Sequence, residues 1–428
     1  MVASSGARSR KQPGGDSNVK IGKKQGQPGK LWHALALAAA TLCVGTASAD
    51  DSQGIKIGVL TDMAGVTADA TGKGSVEAAR MAIEETGGTL LGKPVTLVYA
   101  DHQHKPDVGS SIARTWYDTQ GVDVIVDVPN SAVALAVQAL AAQKKKLLLI
   151  SSAGTTAVTQ AQCSPYTVQW TYTTYALARG TASAVVQEGL KSWFILASDY
   201  AFGKQLAADT SSVVNANGGK VVGTVYHPLN ASDFASFLLQ AQSSRAQVVA
   251  LANAGGDTIS AIKQAAEFGI VQGGQKLAAM LLLDTDVNSL GLPAAQGTYL
   301  TMPFYWNQND GTRAFSTKFQ ARVGHPPTFL QAGVYGSVRH YLQAVKAAGT
   351  TDSDAVMRKM KQMPIDDAFS MNARIRDDGL VVRDMLLAQV KPPAQSTQPW
   401  DFYNIVRRIP GDSLAWPLAD SQCPVVRK

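Results

Sequence analysis

The run VDVIVDVPNSAVALAVQALAAQKKKLLLISSAGTT, residues 122–156, holds one complete unit of a repeating architecture. VDVIVDV is short and rich in valine and isoleucine, as expected of a strand covered on both faces. NSAVALAVQALAAQ (130–143) reads as a helix that begins at Asn130 and Ser131, two residue types suited to capping. KLLLI (146–150) is again an uninterrupted apolar run, and it breaks into SSAGTT, six residues with little beyond hydroxyls and methyls. Strand, helix and strand in this order are the building unit of a parallel sheet.

The same rhythm extends in both directions. Upstream lie IKIGVL (55–60), GSVEAARMAIEE with Val76, Ala79 and Ile83 on one helical face, PVTLVYA (94–100) and DVGSSIARTWYDT (107–119). The alternation pauses near SPYTVQWTYTTY (164–175) and restarts with SWFILAS, FGKQLAADTSSVVNANGG, KVVGTVY, AQVVALAN, GGDTISAIKQAAEFG and KLAAMLLL. Helices follow over 311–323 and 328–348, and the chain ends in the extended segments DMLLAQVK and FYNIVRRIP. The prediction is an α/β protein of two doubly wound, Rossmann-like lobes. Residues 50–170 plus 301–368 form the first, and 171–300 plus 369–428 the second. No low-complexity linker separates them, so short crossings and a hinge are expected.

Charge distribution narrows the function. The 428-residue chain carries a formal charge of +7, from 39 basic and 32 acidic residues. Seven of the basic residues and one acid, Asp16, precede Asp50, which leaves 32 basic and 31 acidic residues in the body. A nearly neutral body without a basic run excludes a nucleic-acid partner. The first 49 residues are a polar basic stretch, the apolar run LWHALALAAATLCVG (31–45) and TASA, with small residues at Ala47 and Ala49. This order predicts an export signal cleaved after Ala49 and a periplasmic protein. The apolar run is shorter than the ~20 residues a membrane span needs. After cleavage Cys163 and Cys423 remain, and an even pair in an oxidising compartment predicts a disulfide joining the first lobe to the C-terminal tail.

Ligands of doubly wound sheets sit beyond the C-terminal ends of the strands, and several loops there have suitable composition. TDMAGVTADATGKGS (61–75) lacks P-loop spacing, because Gly rather than Ser or Thr follows Lys73. Asn130 and Ser131 suit either a helix cap or the binding of an anion at the helix N-terminus. SSAGTT has no G-x-S-x-G frame, which argues against a hydrolase nucleophile; its small residues permit close backbone approach, and its hydroxyls suit capture of a carboxylate. His102 and His104 in DHQHKPD read as a solvated loop, and neither they nor the cysteines call for a metal. Asp284 and Asp286 are candidates for a ligand ammonium or for a helix cap. No cofactor is called for.

GVLTDMAG, the GSVEAARMA helix, LGKPVTLVYADHQHKPDVG, KLLLISSAGTT, SDYAFGK and the Y-G-S helix at 335–337 together resemble the type I periplasmic solute-binding proteins of ABC transporters. The resemblance is to the leucine/isoleucine/valine-binding type and covers residues 54–410. It implies two lobes joined by three crossings, a non-catalytic monomer that closes over a small-molecule solute, and an inner-membrane ABC permease as partner. It places a solute carboxylate on Ser131 and on Ala153, Gly154 and Thr155. The second lobe contributes Tyr200, Phe202 (where amino-acid binders often have tyrosine) and Asp286, with Asp284 as the alternative acid. The chain departs from the amino-acid pattern in having no aromatic near Thr71 and in reading NAGGD at 253–257, without a tyrosine. A branched-chain or related amino acid, an aromatic acid and an amide all fit as solute. A sensor feeding a regulatory partner shares the same fold.

Overall fold

A computed structural model describes residues 54–426 apart from 366, 368, 371 and 372. The expected export signal, Cys43 and the cleavage point after Ala49 lie outside the described residues. The first sheet contains β1 (Ile55–Thr61), β2 (Thr89–Leu90), β3 (Lys93–Asp101), β4 (Val124–Asp127), β5 (Leu147–Ile150) and β6 (Thr167–Gln169), in the order β2-β3-β1-β4-β5-β6. Only β2 is antiparallel to its neighbour. The helices connecting these strands are α1 (Gly72–Glu84), α2 (Pro106–Asp118) and α3 (Ser131–Lys144).

Successive residues of a strand point to opposite faces, and here both faces are covered. Ile57, Val59, Val124, Val126, Leu147 and Leu149 join the core shared with Ala79, Ile83 and Val334. Leu60, Ile125, Leu148 and Ile150 pack instead with Trp116, Val133 and Val137 of α2 and α3. That is why these strands read as continuous apolar runs. Each such side chain contributes about 1.5–3 kcal/mol on burial.

The chain next forms α4 (Thr174–Gln187), β7 (Ser192–Ser198), α5 (Ala201–Ala216), β8 (Lys220–His227), α6 (Ala235–Ser243), β9 (Val248–Ala252), α7 (Gly256–Glu267), β10 (Lys276–Ala279), α8 (Asp284–Leu290), α9 (Leu292–Ala295) and β11 (Tyr299–Met302). It then returns to the first sheet as α10 (Asp310–Val323), α11 (Phe329–Ala348), which packs against α1, and α12 (Ser353–Gln362). A short ribbon, β12 (Arg374–Ile375) with β13 (Val381–Val382), leads to β14 (Met385–Val390) and β15 (Tyr403–Ile409). These two complete the second sheet, ordered β15-β14-β11-β10-β9-β7-β8. The chain therefore passes between the sheets three times, after β6, after β11 and before β14. Two of the passages run side by side, with the Gln169 N–H donating to the Gly379 carbonyl at 2.9 Å.

Two differences from the sequence reading have clear causes. KLAAMLLL was expected to be one strand, but β10 stops at Ala279. Met280 to Leu283 are buried in a loop, where Met280 N–H still reaches the Leu251 carbonyl and Asp286 takes the Leu283 N–H. The pause at 164–175 is followed by α4, whose alanine, threonine and glycine content gives a weak amphipathic stripe because most of its residues are buried.

Cys163, in the turn before β6, is joined to Cys423 by a disulfide with a Cα–Cα distance of 5.4 Å, closing a loop of 260 residues. The Gln422 N–H donates to Gln160 Oε1 at 3.0 Å beside it. Replacing both cysteines by serine is expected to lower unfolding stability by about 2–4 kcal/mol, read from urea denaturation midpoints of oxidised wild type and variant.

Candidate functional site

The loops that leave the C-terminal ends of both sets of strands meet. Thr67 follows β1, Pro129 follows β4, Ser152 follows β5 and Tyr172 follows β6. From the other side come Tyr200 and Phe202 after β7, Ala254 after β9, and Leu281 and Leu283 after β10, while Leu330 opens α11. Together they line a cavity of about 10 Å³, the space of roughly one water. The two sides touch directly, since the Gly256 N–H donates to the Val66 carbonyl at 3.0 Å and Thr156 Oγ1 to Asp209 Oδ2 at 3.0 Å. The cleft is closed, and a solute-sized space requires the two sheets to part.

On the side of the first sheet, buried polar side chains satisfy the loops that the strands release. Asn130 caps α3, its Oδ1 accepting from the Ala132 and Val133 N–H groups at 2.9 and 3.1 Å. Ser131, fully buried, accepts the Thr155 N–H on its Oγ at 3.3 Å. Gln169 Nε2 donates to the carbonyls of Ala153 and Thr155 at 3.2 and 3.1 Å. Tyr172 Oη donates to the Ser152 carbonyl at 2.9 Å, and its ring lies where a Cβ on Gly154 would stand 2.4 Å away. The small residues of SSAGTT are thus needed by Tyr172 and Gln169 in the closed cleft. Ser152 Oγ also donates to Asp127, a fully buried carboxyl that burial pushes up to about 6 against the hydrogen bonds that favour its charged form.

Asp62, at the end of β1, accepts the Gly65 N–H at 2.6 Å, the Thr67 N–H at 2.9 Å and the Thr67 hydroxyl at 2.7 Å. The Ala64 N–H reaches it at 3.3 Å and His104 Nε2 at 2.7 Å. Burial raises its pKa, but the bonds from His104 and Thr67 outweigh that and hold it far below the usual carboxylate range. The solvated-loop reading of His102 and His104 is therefore overturned. His102 is fully buried and His104 is an internal partner of two side chains, because the β3 strand ends against the loop that Asp62 organises.

On the side of the second sheet, Phe202 is buried and its ring lies 6.1 Å from that of Tyr200. Asp284 and Asp286 are both buried at the start of α8. Asp286 Oδ2 accepts the Leu283 N–H at 3.0 Å, the helix-capping role weighed for it. Burial pushes both carboxyls up to about 7, with Asp69 of the first-sheet side adding to the effect at Asp286 and Asp286 adding to it at Asp284.

Of the residues singled out from sequence, Tyr200 and Phe202 line the cavity; Ser131, Ala153, Gly154, Thr155 and Asp286 do not. Ser131 and Thr155 are nevertheless in contact, and Gln169 ties Ala153 to Thr155. Thr67 and Ser152 fell in two of the loops considered at the cleft edge, 61–75 and SSAGTT, without being singled out. Pro129, Tyr172 and the leucines went unrecognised, although Tyr172 is part of the aromatic pause between the two alternating blocks.

Residues 54–397 match the family described as periplasmic binding protein. A periplasmic binding protein from Burkholderia mallei is 50% identical, with a TM-score of 0.85 over 87% of this chain and 99% of that one. A branched chain amino acid ABC transporter periplasmic ligand-binding protein from Burkholderia xenovorans LB400 is 41% identical, with a TM-score of 0.79 over 87% of this chain and 100% of that one. A solute binding protein of an ABC transporter from Rhodopseudomonas palustris BisB5, in complex with 3,4-dihydroxy benzoic acid, is 25% identical, with a TM-score of 0.76 over 84% of this chain and 98% of that one.

The buried acids make stability depend on pH. Their folded pKa lies near 7 against 3.8 for a free carboxyl. The folded chain therefore holds protons that the unfolded chain releases between those values, and stability falls as pH rises through this window. Asp284→Asn is expected to raise the melting temperature at pH 8 and leave it nearly unchanged at pH 4; equal shifts at both would contradict the assignment.

Proposed function

The chain belongs to the periplasmic binding protein family, and from that premise we propose that it is the exported solute-binding component of an ABC importer. It captures a small carboxylate-bearing solute, a branched-chain or related amino acid, between two closing lobes and turns nothing over. The lobes follow the expected bounds, residues 50–170 plus 301–368 and residues 171–300 plus 369–428, except that β11 carries the second lobe on to Met302. Export follows cleavage after Ala49, the working form is a periplasmic monomer, and the partner is an inner-membrane permease.

The observation that carries this reading is the meeting of strand C-terminal loops from both sheets around one small cavity. A carboxylate entering the parted cleft takes the Thr155 N–H in exchange for Ser131 Oγ, its partner within the same lobe. The Ser131 hydroxyl can donate its own proton to the same group, and the α3 N-terminus behind it favours negative charge. Ala153 and Gly154 add little bulk of their own there, and in the closed cleft the Tyr172 ring occupies the space at Gly154. Tyr200 and Phe202 supply apolar wall from the other lobe, and Asp286 receives an ammonium if the solute has one. A solute bridging both lobes binds the closed state more tightly and so shifts the population toward it.

A second reading, an aromatic acid, is favoured by the walls themselves. Tyr172, Tyr200, Phe202 and three leucines dominate the lining, while Asp286 is committed to the Leu283 N–H and pushed toward its neutral form. The Rhodopseudomonas relative with a dihydroxybenzoic acid supports it.

Thermal-shift measurements with leucine, valine, benzoate, 4-hydroxybenzoate and small amides separate the two. A true solute at about 100 times its Kd adds roughly 2.7 kcal/mol of stability. A shift with leucine or valine that Asp286→Asn removes establishes the amino-acid reading. A shift with benzoates that survives Asp286→Asn but falls with Ser131→Ala establishes the other. Turnover of any of these compounds would contradict both.

A further inference from the structure

We infer that His104 is a positioning residue for lobe closure, shaping the loop after β1 so that the Val66 carbonyl latches onto the Gly256 N–H across the cleft. The inference rests on the reading that the lobes open and close, and it names residues that act without touching the solute.

The chemistry of His104 is fixed from both ends. Asp62 is buried, and the groups facing its oxygens are donors: the Ala64, Gly65 and Thr67 N–H groups, the Thr67 hydroxyl and His104 Nε2. An ionised carboxylate only accepts, so Nε2 carries a proton. At the other end Nδ1 faces Asn130 Nδ2 at 3.0 Å. Asn130 cannot turn its oxygen toward the ring, because Oδ1 already accepts the Ala132 and Val133 N–H groups. Its amide therefore donates, and Nδ1 must accept. His104 is held as the neutral Nε2–H tautomer, one donor and one acceptor joining the loop after β1 to the N-cap of α3. Its side chain is 8% exposed and that of Asp62 is 0% exposed, so water does not replace these bonds.

The loop set in this way ends at the latch. Val66 lies between Gly65 and Thr67, two of the three residues whose N–H groups Asp62 holds, and its carbonyl takes the Gly256 N–H at 3.0 Å. Gly255 has φ +54, and a Cβ on it would stand 2.1 Å from the Val66 oxygen. A Cβ on Gly256 would meet Val66 Cγ1 at an ordinary 3.6 Å. The glycine pair of NAGGD thus serves closure: the first makes room for the carbonyl and the second gives the proton. Gly256 is also the first residue of α7, a position that tolerates proline.

The test places nitroxide labels at the exposed positions Arg114→Cys on α2 and Gln240→Cys on α6. Interlobe distances are measured by pulsed electron resonance in protein refolded, with its disulfide intact, to remove co-purified solute. Gly256→Pro, which deletes the donor and sets its Cδ against the Val66 carbonyl, is expected to lower the closed-to-open ratio at least about fivefold, the effect of one hydrogen bond, while Gly256→Ala matches wild type. His104→Leu is expected to open the protein as Gly256→Pro does, and to add nothing in the Gly256→Pro background. His104→Gln, which offers a donor and an acceptor of its own, restores wild-type distances. Nitrogen-15 spectra of wild type at neutral pH are expected to show Nδ1 of His104 unprotonated and Nε2 protonated, a readout that stands even where a variant does not fold; the opposite tautomer overturns the inference. If leucine or benzoate closes the protein yet Gly256→Pro and His104→Leu behave as wild type, the latch is wrong and the solute-binding reading stands. A single distance distribution in every variant and with every solute overturns both.

Discussion

The carboxylate of Asp62 is the interaction on which the cleft side of the first sheet depends. A strand that ends inside a protein releases N–H and C=O groups that cannot be left without partners. At the end of β1 one buried acid answers for the Gly65 and Thr67 N–H groups, the Thr67 hydroxyl and the His104 ring. Hydrogen bonds to a charged group contribute about 1.5–3 kcal/mol each, enough to keep the acid ionised despite its burial. The loop, the α3 N-cap and the approach to the second sheet are all defined relative to that anion.

The second sheet uses its acids differently. Asp284 and Asp286 are set deeper than Asp62 and have fewer donors, so burial prevails and their pKa values rise to about 7. The cleft therefore opposes one firmly charged, fully bonded carboxylate to two acids near neutrality. A solute entering the cleft meets amide and hydroxyl donors on one wall, and aromatic rings and leucines on the other. Such asymmetry suits a molecule with one anionic end and an apolar body.

The strand–helix alternation was legible because both faces of each sheet are covered, which turns strands such as VDVIVDV and KLLLI into unbroken apolar runs. α4 was not legible, since a helix buried on most sides loses the polar stripe that marks a period of 3.6 residues. In the cleft, Tyr200 and Phe202 were reached through the family resemblance that SDYAFGK carries. Tyr172, Thr67 and Leu330 were not, because they are brought together by the three passages between the sheets, which no spacing within one segment encodes. His104 was misread for a related reason. A histidine among Asp, Gln and Lys looks solvated until the chain folds Asp62, 42 positions away, against its ring. SSAGTT was recognised as a place where backbone must come close to something; within the closed protein that partner is Tyr172.

The most direct test is a crystal structure of the protein grown with whichever solute stabilises it most. The account predicts the solute in the cleft, its carboxylate within hydrogen-bond distance of Ser131 Oγ and the Thr155 N–H, and its body against Tyr200 and Phe202. A solute bound outside the cleft, or one whose carboxylate is held by the second sheet with Ser131 still paired to Thr155, would contradict it.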